Sequence, residues 1–303
     1  MSRRPAEQAG DSDSNDATAP VSVRAVLQRG SEILARRSAA SARREALFLL
    51  AGVLELTPGS LALQHDRPLQ GSELAEYESR LARRLAGEPL QYVEGRAAFR
   101  DLWLQVDRSV LIPRPETEQL VECVLEWCRG REGLRGLDVG TGSGAIAISL
   151  VREGSFDRMV AVDISAEALK VAAINAREAG LERRLDLRCG SLFEAIEPEE
   201  RFHVIVSNPP YIAEAEAATL AAEVREWEPS VALYAGPTGL EVIERIVAIA
   251  PDHLELGGLL ALEIAPGVAD ATLASIRRSG RYVGERLERD LTGSDRIVLA
   301  ERV

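Results

Sequence analysis

Three cysteines, three histidines and no apolar run approaching the ~20 residues needed to cross a bilayer exclude several protein classes for this 303-residue chain. Cys123, Cys128 and Cys189 are too few for a disulfide framework, and the first two stand five apart, which matches no usual zinc spacing. His65, His203 and His253 are scattered, so no metal site is expected and the thiols read as packing groups of a reducing compartment. The opening stretch "MSRRPAEQAGDSDSNDATAP" has no apolar core of a secretory signal and reads as a disordered tail over residues 1–20. Positive charge is also short. A net charge of −12 argues against a protein whose main task is gripping nucleic acid, because that grip comes from excess Lys and Arg. With 46% hydrophobic and 28% charged residues, what remains is an ordinary soluble globular chain, expected in the cytoplasm.

The chain changes character twice along its length. Residues 21–89 read as a helical domain: "VRAVLQRGSEILARR" and "ARREALFLLAGVLEL" repeat apolar residues at three and four, and "GSELAEYESRLARRLAGEP" gives a third helix. The arginine pairs 36–37, 43–44 and 83–84 are expected on solvated helix faces. From 90 to 112, β-branched and aromatic residues mix with turn residues and predict a β-hairpin linker. From 113 to 303, strand and helix signals alternate. Strands are predicted at 136–139, 159–163, 185–189, 203–207 and 258–264, with helices between them and a closing hairpin from "RYVGERLE" and "RIVLAERV". That order predicts an α/β domain built on a largely parallel sheet with helices on both faces.

Two stretches carry chemistry. "LDVGTGSGAIAISL" places Gly140, Gly142 and Gly144, with Thr141 and Ser143 between them, directly after a strand and before a helix. Glycines there permit a tight turn and let a ligand approach the backbone. The spacing alone does not separate a dinucleotide from other nucleotides, since Ala145 stands where that fingerprint also tolerates alanine. Asp138, two residues before the first glycine, would repel a diphosphate and suits S-adenosylmethionine, which carries an ammonium and a sulfonium. Asp163, ending the next strand, is placed to accept hydrogen bonds from ribose hydroxyls.

The second stretch is "SNPPYIA" after the apolar run "FHVIVS". Pro209 and Pro210 stiffen the loop and supply no N–H, so Asn208 and the Pro209 carbonyl present acceptors. Two acceptors in fixed geometry suit an –NH₂ group, and Tyr211 offers an aromatic face for a flat acceptor. Asn208, Pro209, Pro210 and Tyr211 are therefore the expected grip on a conjugated amine awaiting a methyl group.

Asn-Pro-Pro-Tyr resembles the acceptor motif of amino-methyltransferases acting on adenine, guanine and glutamine. With "GEPLQYVEGRAAF", "LIPRPETEQLVE", "AVDISAEALKVAAINA", "EPSVAL", "GPTGL" and "RDLTGSDRIV" in that order, the chain from about residue 20 onward resembles the bacterial release factor glutamine methyltransferases. The resemblance implies a Rossmann-like class I methyltransferase domain with a mostly parallel seven-stranded sheet and an antiparallel last strand, preceded by a small helical domain and a hairpin. It implies S-adenosylmethionine as cofactor, held by Gly140–Gly144, Asp163 and Leu192, with Asn208 bridging cofactor and acceptor. It implies, as partner, a class 1 peptide release factor whose Gly-Gly-Gln glutamine is methylated, and a monomeric enzyme without nucleic acid or membrane contact. Ser191 and Leu192 replace an acid and an aromatic often seen there, and Ala265 and Val268 depart from the family's pattern. An adenine-N6 DNA or guanine rRNA methyltransferase could use the same grip, but no basic target-recognition region is visible. A non-catalytic scaffold would be free to lose Asp138, Asp163 and Asn208.

Overall fold

The computed structural model describes residues 21–290 and 292–303, so the tail expected over 1–20 lies outside the described residues. The chain divides between Leu85 and Ala86 into two compact units.

The first unit holds α1 (Val23–Leu34), α2 (Ala42–Val53), the single turn α3 (Pro58–Leu61) and α4 (Gly71–Leu85). α1 starts where the Ser22 hydroxyl accepts from the Ala25 amide, and it buries Val23, Val26, Gly30 and Leu34 along one stripe. Gly30 lets α4 come close: a Cβ there would lie 2.0 Å from the Tyr77 hydroxyl. One arginine of the pairs expected on solvated faces is instead internal. Arg84 is buried, and its guanidinium donates to both carboxylate oxygens of Glu45, at 2.7 and 3.2 Å. Its neighbour on the interior side of α4 is an acid that neutralises it, which a count of surface charges does not reveal.

The second unit opens with a short helix, α5 (Leu90–Glu94), where sequence reading predicts the start of the hairpin. The five residues make one turn, closed by Gly95 at φ 73°, and only then does the hairpin follow as β1 (Arg96–Phe99) and β2 (Leu102–Gln105). Then come α6 (Pro115–Trp127), β3 (Leu134–Val139), α7 (Ala145–Glu153), β4 (Phe156–Asp163), α8 (Ala166–Glu178), β5 (Leu185–Cys189) and β6 (Phe202–Ser207). Short elements follow: β7 (Ile212–Ala213), α9 (Ala222–Trp227), α10 (Ser230–Leu233) and β8 (Tyr234–Gly236). The chain ends with α11 (Glu241–His253), β9 (Leu254–Glu263), α12 (Ala269–Ser279), β10 (Tyr282–Arg289) and β11 (Asp295–Arg302).

Seven strands form one sheet in the order β10-β11-β9-β6-β3-β4-β5. β3, β4, β5, β6 and β9 run parallel, and β11 is inserted antiparallel between β9 and β10. The fold expected from the sequence is therefore the fold observed, including the reversed last strand. Apolar residues cover both faces, with one cluster around Leu120, Ile148 and Phe156 and the other around Ile205, Ile246 and Ile276. The strand order reverses between β3 and β6, so their carboxyl ends diverge and leave a crevice, where open parallel sheets take their ligands. Among the described residues, no helix is long and apolar enough to cross a membrane.

Candidate active site

A cavity of about 280 Å³ opens over the carboxyl ends of β3, β4, β5 and β6. Its floor is the turn from Gly140 to Gly144. The Gly140 and Thr141 amides both donate to the Val162 carbonyl, at 2.8 and 2.9 Å, and the Gly142 amide donates to Asp163 Oδ2 at 2.8 Å. Gly142 holds φ 55° with open space where a Cβ would stand, which exposes its backbone to a ligand. Gly144 serves packing instead, because a Cβ there would lie 3.0 Å from Ile148 and 3.4 Å from Ala172. Ser143 is fixed from below: its carbonyl accepts from Asn175 Nδ2 at 2.8 Å, and the Asn175 Oδ1 accepts from the Gln105 amide of the hairpin.

Asp163 stands on the cavity wall with one oxygen turned to each flanking loop, since Oδ1 accepts from the Ser165 amide at 2.9 Å. Burial raises its pKa from the ordinary aspartate value, against the pull of these backbone donors. Asp138 is placed differently from the sequence expectation. It is 0% exposed and lies behind the wall, where its Oδ2 accepts from Thr141 Oγ1 at 2.7 Å. Thr141, not Asp138, meets the cavity, so Asp138 supports the turn from beneath it. Leu192 lines the opposite wall at φ 54°, beside Gly190, Ser191 and the exposed Ile164.

The Asn-Pro-Pro-Tyr segment follows β6. Asn208 and Pro210 reach the cavity wall, Pro209 is buried, and the Tyr211 hydroxyl turns to Glu263 Oε1 at 3.4 Å. The Tyr211 ring packs on the core beside β9 rather than forming the expected platform in the cavity. Asn208 Nδ2 donates to Thr117 Oγ1 at 3.0 Å, and Thr117 in turn donates to Glu263 Oε2 at 2.7 Å. Further along the chain, Arg114 and buried Glu228 pair, and Arg108 lies 3.9 Å over the Trp227 ring. These contacts hold the segment whose Pro229, Val231 and Ala232 form an apolar wall.

Residues 25–95 match the PrmC N-terminal domain family, and residues 116–225 match the Methyltransferase small domain family. Proteins named release factor glutamine methyltransferase are 39% identical in Koribacter versatilis, over 86% of this chain and 92% of that one, and 40% identical in Geobacter sulfurreducens, over 91% and 95%. The chain belongs to the release factor glutamine methyltransferase family. A solved methyltransferase from Pyrococcus furiosus, at 20% identity and a TM-score of 0.52, covers 74% of this chain and 98% of its own, and shares the fold.

The cofactor of this family member is S-adenosylmethionine, and the cavity fits it. The Cβ-free turn admits close approach, Asp163 retains unused lone pairs for hydroxyl donors, and Ile164, Ala168 and Leu192 supply an apolar wall for a purine. Sequence reading missed Thr117, Glu263, Ile164 and the wall from Pro229 to Ala232. A signal for two of them was present: Glu263 interrupts the run "GLLALEI", and Thr117 sits inside the "PRPETE" stretch.

Glu263 is 1% exposed, and burial pushes its carboxyl up to about 7, against the Thr117 hydrogen bond and the charge of Arg296. Glu116 adds to the rise, while the Tyr211 hydroxyl opposes it. An acid whose folded value exceeds its unfolded one holds an extra proton when folded, so its contribution is most favourable at low pH. That contribution is lost as pH rises from the unfolded value toward 7. Glu263→Gln removes the effect. Its melting temperature relative to the parent is expected to be unchanged near pH 4 and higher by roughly 2–5 °C at pH 8. Thermal melts of both proteins across that range check it, and a constant difference would contradict it.

Proposed function

We propose that the chain transfers a methyl group from S-adenosylmethionine to the side-chain amide nitrogen of the glutamine in the Gly-Gly-Gln loop of class 1 peptide release factors. The enzyme then works in the cytoplasm as a monomer on a protein partner, in support of translation termination. The observation that carries this reading is Asn208, whose Nδ2 is spent on Thr117 while nothing among the described residues donates to its Oδ1. Asn208 stands on the same cavity wall as Gly140, Thr141, Gly142, Ser143 and Asp163.

Bound S-adenosylmethionine supplies an electrophilic methyl group on a sulfonium. The chain's own task is to prepare a poor nucleophile, because an amide lone pair is delocalised into its carbonyl. Asn208 Oδ1 and the Pro209 carbonyl take the two amide hydrogens, which orients the nitrogen in line and favours its pyramidal form. Pro209 and Pro210 carry no N–H that could compete for those acceptors. The apolar wall from Pro229 to Ala232 flanks the reacting pair. The nitrogen gives up one proton as the N–C bond forms, and water receives it. The negative net charge leaves no general attraction for nucleic acid.

Mass spectrometry of a class 1 release factor incubated with this protein and S-adenosylmethionine tests the reading. A single added methyl on the Gly-Gly-Gln glutamine is expected. No methyl there, with transfer to adenine in DNA or guanine in rRNA assayed in parallel, would overturn the substrate.

A further inference from the structure

We propose that Glu263 and Thr117 are positioning residues that fix which end of the Asn208 carboxamide meets the acceptor amide. The inference rests on the functional reading above and deepens it, because it assigns the orientation of the same grip to residues outside the Asn-Pro-Pro-Tyr segment.

The fold brings the three together at one point. β6 and β9 are neighbours with Ser207 opposite Leu262, so the next residue on each strand, Asn208 and Glu263, emerges side by side. The first turn of α6, begun by Pro115, lowers the buried Thr117 side chain between them. The polarity of the resulting chain is then dictated from one end. Above about pH 7, where the Glu263 carboxyl is ionised, it has lone pairs and no hydrogen, so both hydroxyls that reach it must donate to it. Tyr211 gives its hydrogen to Oε1 and Thr117 gives its only hydrogen to Oε2. Thr117 Oγ1 has lone pairs left and nothing to donate. The group of Asn208 that faces it must be the NH₂, and the carbonyl oxygen is thereby turned to the cavity. The opposite rotamer would set Asn208 Oδ1 against the Thr117 lone pairs and present an NH₂ to another NH₂. A free carboxamide is nearly symmetric in shape and could sit either way. Here the buried acid breaks the symmetry.

The arrangement also explains why an acid stands in the apolar end of a central strand. Neither Glu263 nor Tyr211 is on the cavity wall, so their mutual contact is not a ligand contact. A neutral glutamine in place of Glu263 could donate as well as accept, and Thr117 would then be free to point its hydrogen at Asn208.

Full-length Thr117→Val, Thr117→Ser and Glu263→Gln test the idea in two ways. The first is hydrogen exchange of the Asn208 carboxamide by NMR, assigned by its disappearance in Asn208→Asp. Slow exchange is expected in the parent and in Thr117→Ser, and exchange faster by about tenfold or more in the other two. The second is turnover on a release factor. Thr117→Val and Glu263→Gln are expected to lower kcat by about 10²-fold with the dissociation constant for S-adenosylmethionine within about threefold, and Thr117→Ser is expected to restore most of the rate. Equal exchange rates in all four proteins would overturn the inference, as would a Thr117→Ser rate as low as that of Thr117→Val. The exchange measurement needs no substrate. A parent protein that leaves the release factor unmethylated therefore refutes the functional reading, while exchange alone still decides the orientation.

Discussion

Asn208→Ala is expected to lower kcat on a class 1 release factor by about 10³-fold while the affinity for S-adenosylmethionine stays within a few-fold. The side chain does two things that matter only as the bond forms. On the proposed reading, its Oδ1 holds one amide hydrogen, and its place after β6 keeps the nitrogen in line with the methyl group. A misplacement of about 1 Å in such a geometry can cost roughly 10²-fold, and the lost hydrogen bond adds to it. The cofactor turn is anchored elsewhere, through Val162, Asp163 and Asn175, so it survives the change. Single-turnover rates beside calorimetric binding of the cofactor separate the two quantities. An equal loss of both would make Asn208 chiefly a cofactor ligand. Asn208→Asp is expected to be no better, since it sets a second acid against the lone pairs of Thr117 and close to buried Glu263.

The legible parts of this molecule are those whose physics is local. The glycine turn, the acid ending β4 and the stiff Asn-Pro-Pro-Tyr segment each lie within a few residues, and each lands on the same cavity or immediately behind it. The strand–helix alternation was equally plain, because buried parallel strands are continuous apolar runs. α12 escaped the reading for a definite reason. Its buried face is Ala269, Thr272, Leu273, Ser275 and Ile276, so two of five inward residues carry hydroxyls and the apolar stripe is faint. Thr272 resolves that by donating to the Val268 carbonyl one turn back, at 2.8 Å. The helix at 90–94 was hidden by composition, since "LQYVE" contains a β-branched and an aromatic residue and lasts one turn. The site was incomplete for a third reason. Thr117 and Asn208 are 91 positions apart, and only the pairing of β6 with β9 under α6 makes them partners. Asp138 stands out in the sequence, but its burial does not: the carboxylate accepts from Thr141, and burial pushes it up to about 7, so it is no simple anion facing a cation.

Asp163→Ala is expected to weaken S-adenosylmethionine binding by on the order of 10²- to 10³-fold, the largest effect on affinity in the cavity. Two losses combine. The acceptor for ligand hydroxyls disappears, and hydrogen bonds to a charged group are each worth about 1.5–3 kcal/mol. The same carboxylate also ties the Gly142 amide of one loop to the Ser165 amide of the next, at 2.8 and 2.9 Å. Without it, the glycine turn keeps only its backbone bonds to Val162, and the first turn of α8 keeps the Ser165 hydroxyl, which accepts from the Ala168 amide at 3.2 Å. Asp163→Asn separates these contributions. A carboxamide retains one oxygen for one of the two amides but turns an NH₂ toward the other, so it is expected to fall between the parent and Asp163→Ala. Calorimetric titration with S-adenosylmethionine, and with S-adenosylhomocysteine as the uncharged-sulfur control, measures all three. Both ligands carry the same ribose, so Asp163→Ala is expected to weaken them by the same factor. A loss confined to S-adenosylmethionine would instead mean that the carboxylate answers the sulfonium charge, and the hydroxyl assignment would fall.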